Sequence, residues 1–165
     1  MRNSYPVRIT FRREPLWIVW QSDDVADEGA APDGVAVEQG RIVHVRTQEQ
    51  LAGLAARFGF DPDEDPTVLD LDGCEDLSTE PSGKEFCSRI VEVWNLLGDV
   101  ASSVGADLGD RGPLVSRCYD KLFFGMNLES VTPAGDHFTP AFSEEERLVM
   151  AGVLRRGIGI LEAHL

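Results

Sequence analysis

The chain has 165 residues, 42% of them hydrophobic and 27% charged, so it is long enough for one globular domain and too hydrophobic for a disordered chain. Its formal net charge of −14 comes from 29 acidic and 15 basic residues, and this excess argues against binding to nucleic acid or to an anionic membrane. No apolar run approaches the ~18 residues of a membrane span, and the N-terminal residues lack the apolar core of a signal peptide, so we expect a cytoplasmic protein.

The first predicted elements are strands. Residues 5–12 alternate apolar and polar side chains, which is typical of a half-buried strand, and the apolar run 16–20 is typical of a strand buried on both faces. Residues 35–45 predict a hairpin that turns at Gly40, because glycine tolerates the positive φ of a tight turn.

The next elements are a short helix and a further strand. Thr47 and Gln50 have the spacing of a capping box, and they begin an amphipathic helix that is predicted to end at Gly59. A strand is predicted at 67–71.

Three helices are predicted in the second half of the chain. They cover residues 83–104, residues 113–124, and a terminal stretch that ends near residue 163. Ser82 with Glu85 and Ser143 with Glu146 predict capping boxes for the first and last of them. Glycines 152, 157 and 159 weaken the last helix by up to ~1 kcal/mol each, and we expect them to permit close helix contact.

This order of elements predicts an α+β fold, with an antiparallel or mixed sheet of four to five strands and helices packed on one face. Residues 125–142 form a connection that is long for a compact domain, and long ordered loops often carry function.

The negative charge is concentrated in two segments, 22–34 and 61–80. They hold 14 of the 29 acidic residues and contain no Lys or Arg. The negative electrostatic field of these segments attracts basic protein surfaces, so we predict a protein partner with a basic surface. The alternative is a solvated surface that aids solubility. The predicted partner-binding residues are Asp61, Asp63, Glu64, Asp65, Asp72, Glu75, Asp76, Tyr119 and Asp120.

Two carboxylate patterns resemble metal sites. Residues 61–65 place carboxylates at positions 1, 3 and 5 of a calcium loop, but Pro66 stands where that loop requires glycine. Asp70 and Asp72 loosely resemble a magnesium-binding pair without the glycine-rich loop that would hold a phosphate, so a surface or hairpin-capping role is favoured. We therefore expect no metal and no cofactor.

Nucleophilic chemistry has little support in the sequence. Cys74, Cys87 and Cys118 share no metal-binding or disulfide spacing, and the acidic neighbours of Cys74 are expected to raise its pKa. No GxSxG or HExxH motif is present. We expect a protein that is not an enzyme. The alternative is a small metal- or ligand-binding enzyme domain with its site around Asp70, Asp72 and His137.

Aromatic residues suggest a second contact region. Core packing is favoured for four aromatic residues that fall within apolar runs, namely Trp17, Trp20, Phe123 and Phe124. Tyr119 and Asp120 are better candidates for an interface, because they place polar groups on a helix that leads into the long loop. Residues 119–142, YDKLFFGMNLESVTPAGDHFTPAF, resemble segments of bacterial immunity proteins, the small acidic antidotes of polymorphic or contact-dependent toxins. The resemblance implies tight binding to a cognate toxin, often a basic nuclease, and assigns a role to no particular residue.

Overall fold

The structure is a computed structural model that describes residues 2–23, 32–77 and 83–165. Two ten-residue strands, β1 (Arg2–Phe11) and β2 (Glu14–Asp23), form an antiparallel hairpin at the centre of the sheet. The strands predicted at 5–12 and 16–20 are confirmed and are longer than predicted, except that Arg12 belongs to the turn.

One edge of the sheet is a strand split by an inserted hairpin. The short strands here are β3 (Gly34–Val35), β4 (Val37–Glu38), β5 (Arg41–Ile42) and β6 (His44–Val45). Strands β3 and β6 both pair antiparallel with β2, while β4 and β5 form the predicted hairpin, which turns at Gln39 and Gly40 with φ of 51° and 78°.

The opposite edge is β7 (Thr67–Asp70), which pairs parallel with β1. In the described residues the sheet therefore has five strands and is mixed, and the predicted α+β class is confirmed. Because β3 and β7 lie at opposite ends of the order β3-β2-β1-β7, three strand spacings of ~4.8 Å separate them, or about 14 Å.

The helices are α1 (Gln48–Phe58), α2 (Lys84–Val104), α3 (Pro113–Gly125) and α4 (Glu144–His164). The end of α1 at Gly59 is confirmed, with φ 78°, and so is the capping box of Ser143 and Glu146. The predicted cap at Ser82 lies outside the described residues, and α2 has Gly83 at its N-cap position. Among the helices that the structure describes, none is both long enough and apolar enough to span a bilayer.

The main core lies between the sheet and the three long helices. Ile9, Leu16 and Ile18 are fully or almost fully buried in it, together with residues of α2, α3 and α4. Val19 alternates to the other face of β2, where it packs with Leu54 in a smaller cluster. Helix α1 therefore adds a layer on the second face of the sheet, whereas the sequence predicts helices on one face only.

Close packing of α2 and α4 depends on Gly157. A Cβ there would lie 2.7 Å from Leu97 Cβ, whereas a Cβ at Gly152 would meet no atom within 4 Å. Alanine gains up to ~1 kcal/mol of helix propensity at either position, but overpacking costs ~1–3 kcal/mol. In urea denaturation, we expect Gly157→Ala to lower the free energy of unfolding by about 1–2 kcal/mol and Gly152→Ala to raise it. Equal stabilisation by both variants would contradict the close contact.

Candidate protein-binding cleft

The acidic residues between positions 61 and 76 that are predicted to bind a partner lie on either side of the edge strand β7. Residues 61–66 lead into this strand and residues 71–77 leave it. Asp63, Glu64 and Asp65 are exposed, and Asp61 Oδ1 accepts a hydrogen bond from the Asp63 N–H at 2.9 Å. Glu80, and residues 24–31 of the first acidic segment, lie outside the described residues.

Asp72 holds the turn between β1 and β2. Its Oδ1 accepts a hydrogen bond from the Arg12 N–H at 2.7 Å, and its Oδ2 accepts one from the Arg13 N–H at 2.6 Å. Arg12 and Arg13 have φ of 53° and 64°, a left-handed conformation that costs a residue other than glycine roughly 1–2 kcal/mol. The Asp72 carboxylate offsets part of this strain, which is the hairpin-capping role favoured above.

This turn gives a testable pair of substitutions. We expect Asp72→Ala to lower the free energy of unfolding by about 2 kcal/mol, because it removes two charge-assisted hydrogen bonds. Adding Arg13→Gly is expected to recover about 1 kcal/mol, since glycine adopts a positive φ without strain. Urea denaturation of the single and double variants measures both effects, and an Asp72→Ala protein as stable as the original would contradict the capping role.

The residues of the alternative enzyme site do not converge. Asp70 Oδ1 accepts a hydrogen bond from the Asp72 N–H at 3.0 Å, so this pair forms a local turn. His137 lines a surface depression with Phe124 and Phe138, and neither Asp70 nor Asp72 lines it. In residues 2–23, 32–77 and 83–165, no three His, Cys, Asp or Glu side chains are grouped so that they could hold a metal ion.

Tyr119 and Asp120 line a cleft between the β3 edge of the sheet and helices α2 and α3. Its volume is about 540 Å³. Its ten described lining residues include four aspartates, Asp33, Asp99, Asp110 and Asp120, and three aromatic residues, Trp20, Trp94 and Tyr119. No Lys or Arg is among the described residues that line the cleft. The structure therefore brings two predicted partner-binding residues to the end of the first acidic segment, at the sheet edge opposite β7.

The wall of the cleft is fixed by hydrogen bonds between the sheet edge and α2. Trp20 Nε1 donates to Asp99 Oδ2 at 2.8 Å. Ser103 Oγ donates to the Asp99 carbonyl at 2.7 Å and accepts from the Val35 N–H at 2.9 Å. These bonds connect β2, β3 and α2, so Asp99 and Trp20 are positioned before any ligand arrives.

The surroundings of Asp99 disfavour a negative charge on its carboxyl group. Burial raises the pKa of its carboxyl above the usual range, the nearby charge of Asp33 raises it further, and the hydrogen bond from Trp20 opposes both effects. A cation that entered the cleft would stabilise the ionised form of Asp99, and no Lys or Arg among the described lining residues already does so.

Aromatic rings form the other wall of the cleft. Tyr119 packs edge-on against Trp94, with ring centroids 5.6 Å apart and planes at 69°, and Tyr119 Oη donates to Asn95 Oδ1 at 2.8 Å. Carboxylates beside aromatic rings are suited to a guanidinium or ammonium group, which forms ion pairs with the former and cation–π contacts with the latter. The arrangement can bind an organic cation.

The remaining candidates have structural roles. Cys74, Cys87 and Cys118 are buried, and burial, more than the neighbouring Glu75, raises the pKa of Cys74 to about 12. The sequence correctly predicts that the pKa of Cys74 is raised. The main cause of the rise is burial of the thiol rather than its acidic neighbours. The Nδ1 atoms of His44 and His164 lie 3.0 Å and 2.8 Å from backbone carbonyl oxygens.

Comparison of the chain with protein-family models, curated proteins and solved structures gives no match. The function is therefore argued from the geometry and charge of the cleft.

Proposed function

We propose that this protein is an acidic protein-binding module that acts as an immunity or inhibitor protein against a cognate, basic, nuclease-like toxin. The observation that carries this proposal is the cleft, in which four aspartates and three aromatic side chains line one space. Its shape and charge favour insertion of a basic side chain from the partner.

Arginine is the side chain that suits the cleft best. Its planar guanidinium pairs with two carboxylate oxygens at once and stacks on aromatic rings. Asp33 and Asp120 are exposed, whereas Asp99 is half-buried. An ion pair formed with a partly buried carboxylate gains more than one formed on an open surface, because the local dielectric is lower.

The acidic segment beside β7 has a separate part in the proposal. It lies at the far edge of the sheet, so it does not contact a side chain held in the cleft. Exposed charges at a distance raise the rate of encounter with an oppositely charged partner. We propose that this segment speeds association while the cleft holds the partner.

Inhibition of a nuclease follows from the same electrostatics. A nuclease uses a basic surface to bind phosphates, and a strongly acidic protein seated there excludes the nucleic acid by occupying its binding charges. On this proposal the protein works in the cytoplasm, where the nucleic-acid substrate of the toxin lies.

Affinity capture with matched baits tests the proposal. The cleft variant carries Asp33→Asn, Asp110→Asn and Asp120→Asn, and the segment variant carries Asp63→Asn, Glu64→Gln and Asp65→Asn. Both remove three negative charges. We expect the original chain and the segment variant to retain a basic protein from source-cell lysate in low salt, and the cleft variant to lose it.

The captured protein is then assayed for nucleic-acid cleavage with each purified variant. Inhibition by the original chain and not by the cleft variant supports the proposal. Capture of the same protein by all three baits, or cleavage that continues in the presence of excess chain, contradicts it.

The alternative enzyme function has less support in the geometry. Both oxygens of Asp72 are bonded to backbone N–H groups of the β1–β2 turn, and His137 lines a different surface depression.

A further inference from the structure

An apolar patch at the end of α3 and on the long loop is exposed to solvent. Phe124, Val131 and Phe138 are 50%, 44% and 43% exposed, and they line a shallow depression of about 490 Å³ with Pro133 and His137. Single exposed apolar residues are common, but clustered ones often mark binding surfaces. We call these five residues the apolar patch.

Hydrogen bonds hold the patch in place. Asn127 Nδ2 donates to the Phe138 carbonyl at 2.9 Å, and Asn127 Oδ1 accepts from the Phe138 N–H at 2.7 Å. The same Nδ2 also donates to the Gly125 carbonyl at 2.9 Å. These bonds fix the backbone of Phe138 while its ring stays exposed, so a partner that covers the ring does not have to order the backbone beneath it.

The surroundings of the patch are acidic. Asp136 lines the depression itself, and Glu129 lines a neighbouring cavity that shares Thr132, Pro133 and Asp136 with it. No Lys or Arg is among the described residues that line either cavity. A symmetric contact between two copies of this chain would bring these carboxylates against each other, so charge favours a basic partner over a second copy.

The patch also lies next to the cleft along α3. Asp120 of the cleft and Phe124 of the patch are four residues apart, so they neighbour each other on the helix surface at about 6 Å along its axis. One partner segment can therefore reach both.

We propose that the apolar patch is the second half of the partner interface and receives a large apolar side chain, aliphatic or aromatic, placed a few residues from the basic side chain in the cleft. This inference rests on the proposed function. It adds that the partner is recognised by a basic and apolar pair rather than by charge alone.

Two synthetic peptides test the inference without the natural partner. One has two arginines, a glycine and two leucines in that order, so that an arginine and a leucine are about 7–13 Å apart at ~3.3 Å per residue. The other replaces both leucines with serines. Each is titrated into the full-length ¹⁵N-labelled chain, and the resonances of the Trp20 indole and of the amides of Val131 and Phe138 are followed.

We expect both peptides to shift the Trp20 indole, and the leucine peptide alone to shift the patch amides and to bind about fivefold more tightly. Phe138→Ser is expected to abolish the gain from leucine and to keep the response to the serine peptide, since Asn127 bonds the backbone of residue 138. Val68→Ser is the control, because Val68 is 58% exposed on β7 at the far edge of the sheet.

Equal affinity for both peptides, with the Trp20 indole shifted, would overturn the apolar half of the interface and leave the cleft in place. No shift of Trp20 with either peptide would contradict the proposed function itself. Sedimentation that shows a dimer of the original chain and a monomer of Phe138→Ser would also overturn the inference, since the patch would then bind a second copy.

Discussion

Glu146→Gln is expected to lower the free energy of unfolding at pH 7 by about 3 kcal/mol. Glu146 is 2% exposed, and its carboxylate accepts hydrogen bonds from Lys121 Nζ at 2.8 Å, Arg117 Nε at 3.0 Å and the Ser143 N–H at 2.9 Å. Burial alone would raise the pKa of this carboxyl, but these three bonds outweigh it and lower the pKa from 4.5 to about 2. This lowering of the pKa corresponds to a contribution of about 3 kcal/mol to the free energy of unfolding.

The pH dependence of this loss has a definite direction. Because the pKa of Glu146 is lower in the folded state than in the unfolded state, its contribution is complete above pH 4.5 and disappears as the pH falls through about 2. The difference between Glu146→Gln and the original chain should therefore narrow from pH 5 to pH 2. Urea denaturation across this range measures it.

Glu145→Gln is the matched control, because Glu145 is the exposed neighbour in the same helical turn. We expect a change within about 0.5 kcal/mol at every pH. A loss from Glu146→Gln that stayed constant down to pH 3 would contradict the ionised, bonded state of Glu146. Lys121, which bonds to Glu146, also donates a hydrogen bond to the Ala141 carbonyl at 2.9 Å. The end of the long loop is therefore bonded to α3.

The second large effect concerns partner binding. With the captured toxin, we expect the cleft variant to lose about 100-fold in affinity, mostly through faster dissociation, because it removes carboxylates that contact a partly buried cation. The segment variant should lose less than about tenfold, mostly through slower association. Surface plasmon resonance at several salt concentrations separates the two.

Salt provides the internal control for these kinetics. The deficit of the segment variant should shrink as salt rises, because its charges act at a distance and are screened, whereas the deficit of the cleft variant should persist, because the bound partner covers the carboxylates that contact it. Equal losses with the same salt dependence would mean that only net charge matters. That result would contradict a distinct binding site in the cleft.

Much of the fold could be predicted from local patterns. The alternation at 5–12 and the apolar run at 16–20 identify β1 and β2, because side chains on opposite faces of a strand meet different surroundings. Gly59 and the box of Ser143 and Glu146 mark helix ends through backbone chemistry that depends only on adjacent residues.

The cleft could not be predicted in this way. Trp20 and Asp99 are 79 positions apart, and their contact depends on how α2 crosses the sheet edge, which no local pattern encodes. The apolar run around Phe124 predicts core packing, yet this ring is half exposed because α3 ends here and the loop beyond it leaves one side open. The position of Tyr119 and Asp120, on a helix that leads into the long loop, predicts a contact region, whereas no local pattern predicts that Asp99 and Asp110 line it.

The most direct test of the cleft uses the three tryptophans of the chain. Trp20 and Trp94 line the cleft, while Trp17 is 6% exposed on the other face of β2, beneath the guanidinium of Arg8 at 5.4 Å. We predict that N-acetyl-arginine methylamide shifts the indole N–H resonances of Trp20 and Trp94 and leaves that of Trp17 unchanged, and that the uncharged citrulline analogue shifts none of them. Unmoved Trp20 and Trp94 resonances, or equal shifts with citrulline, would contradict a cation-binding cleft.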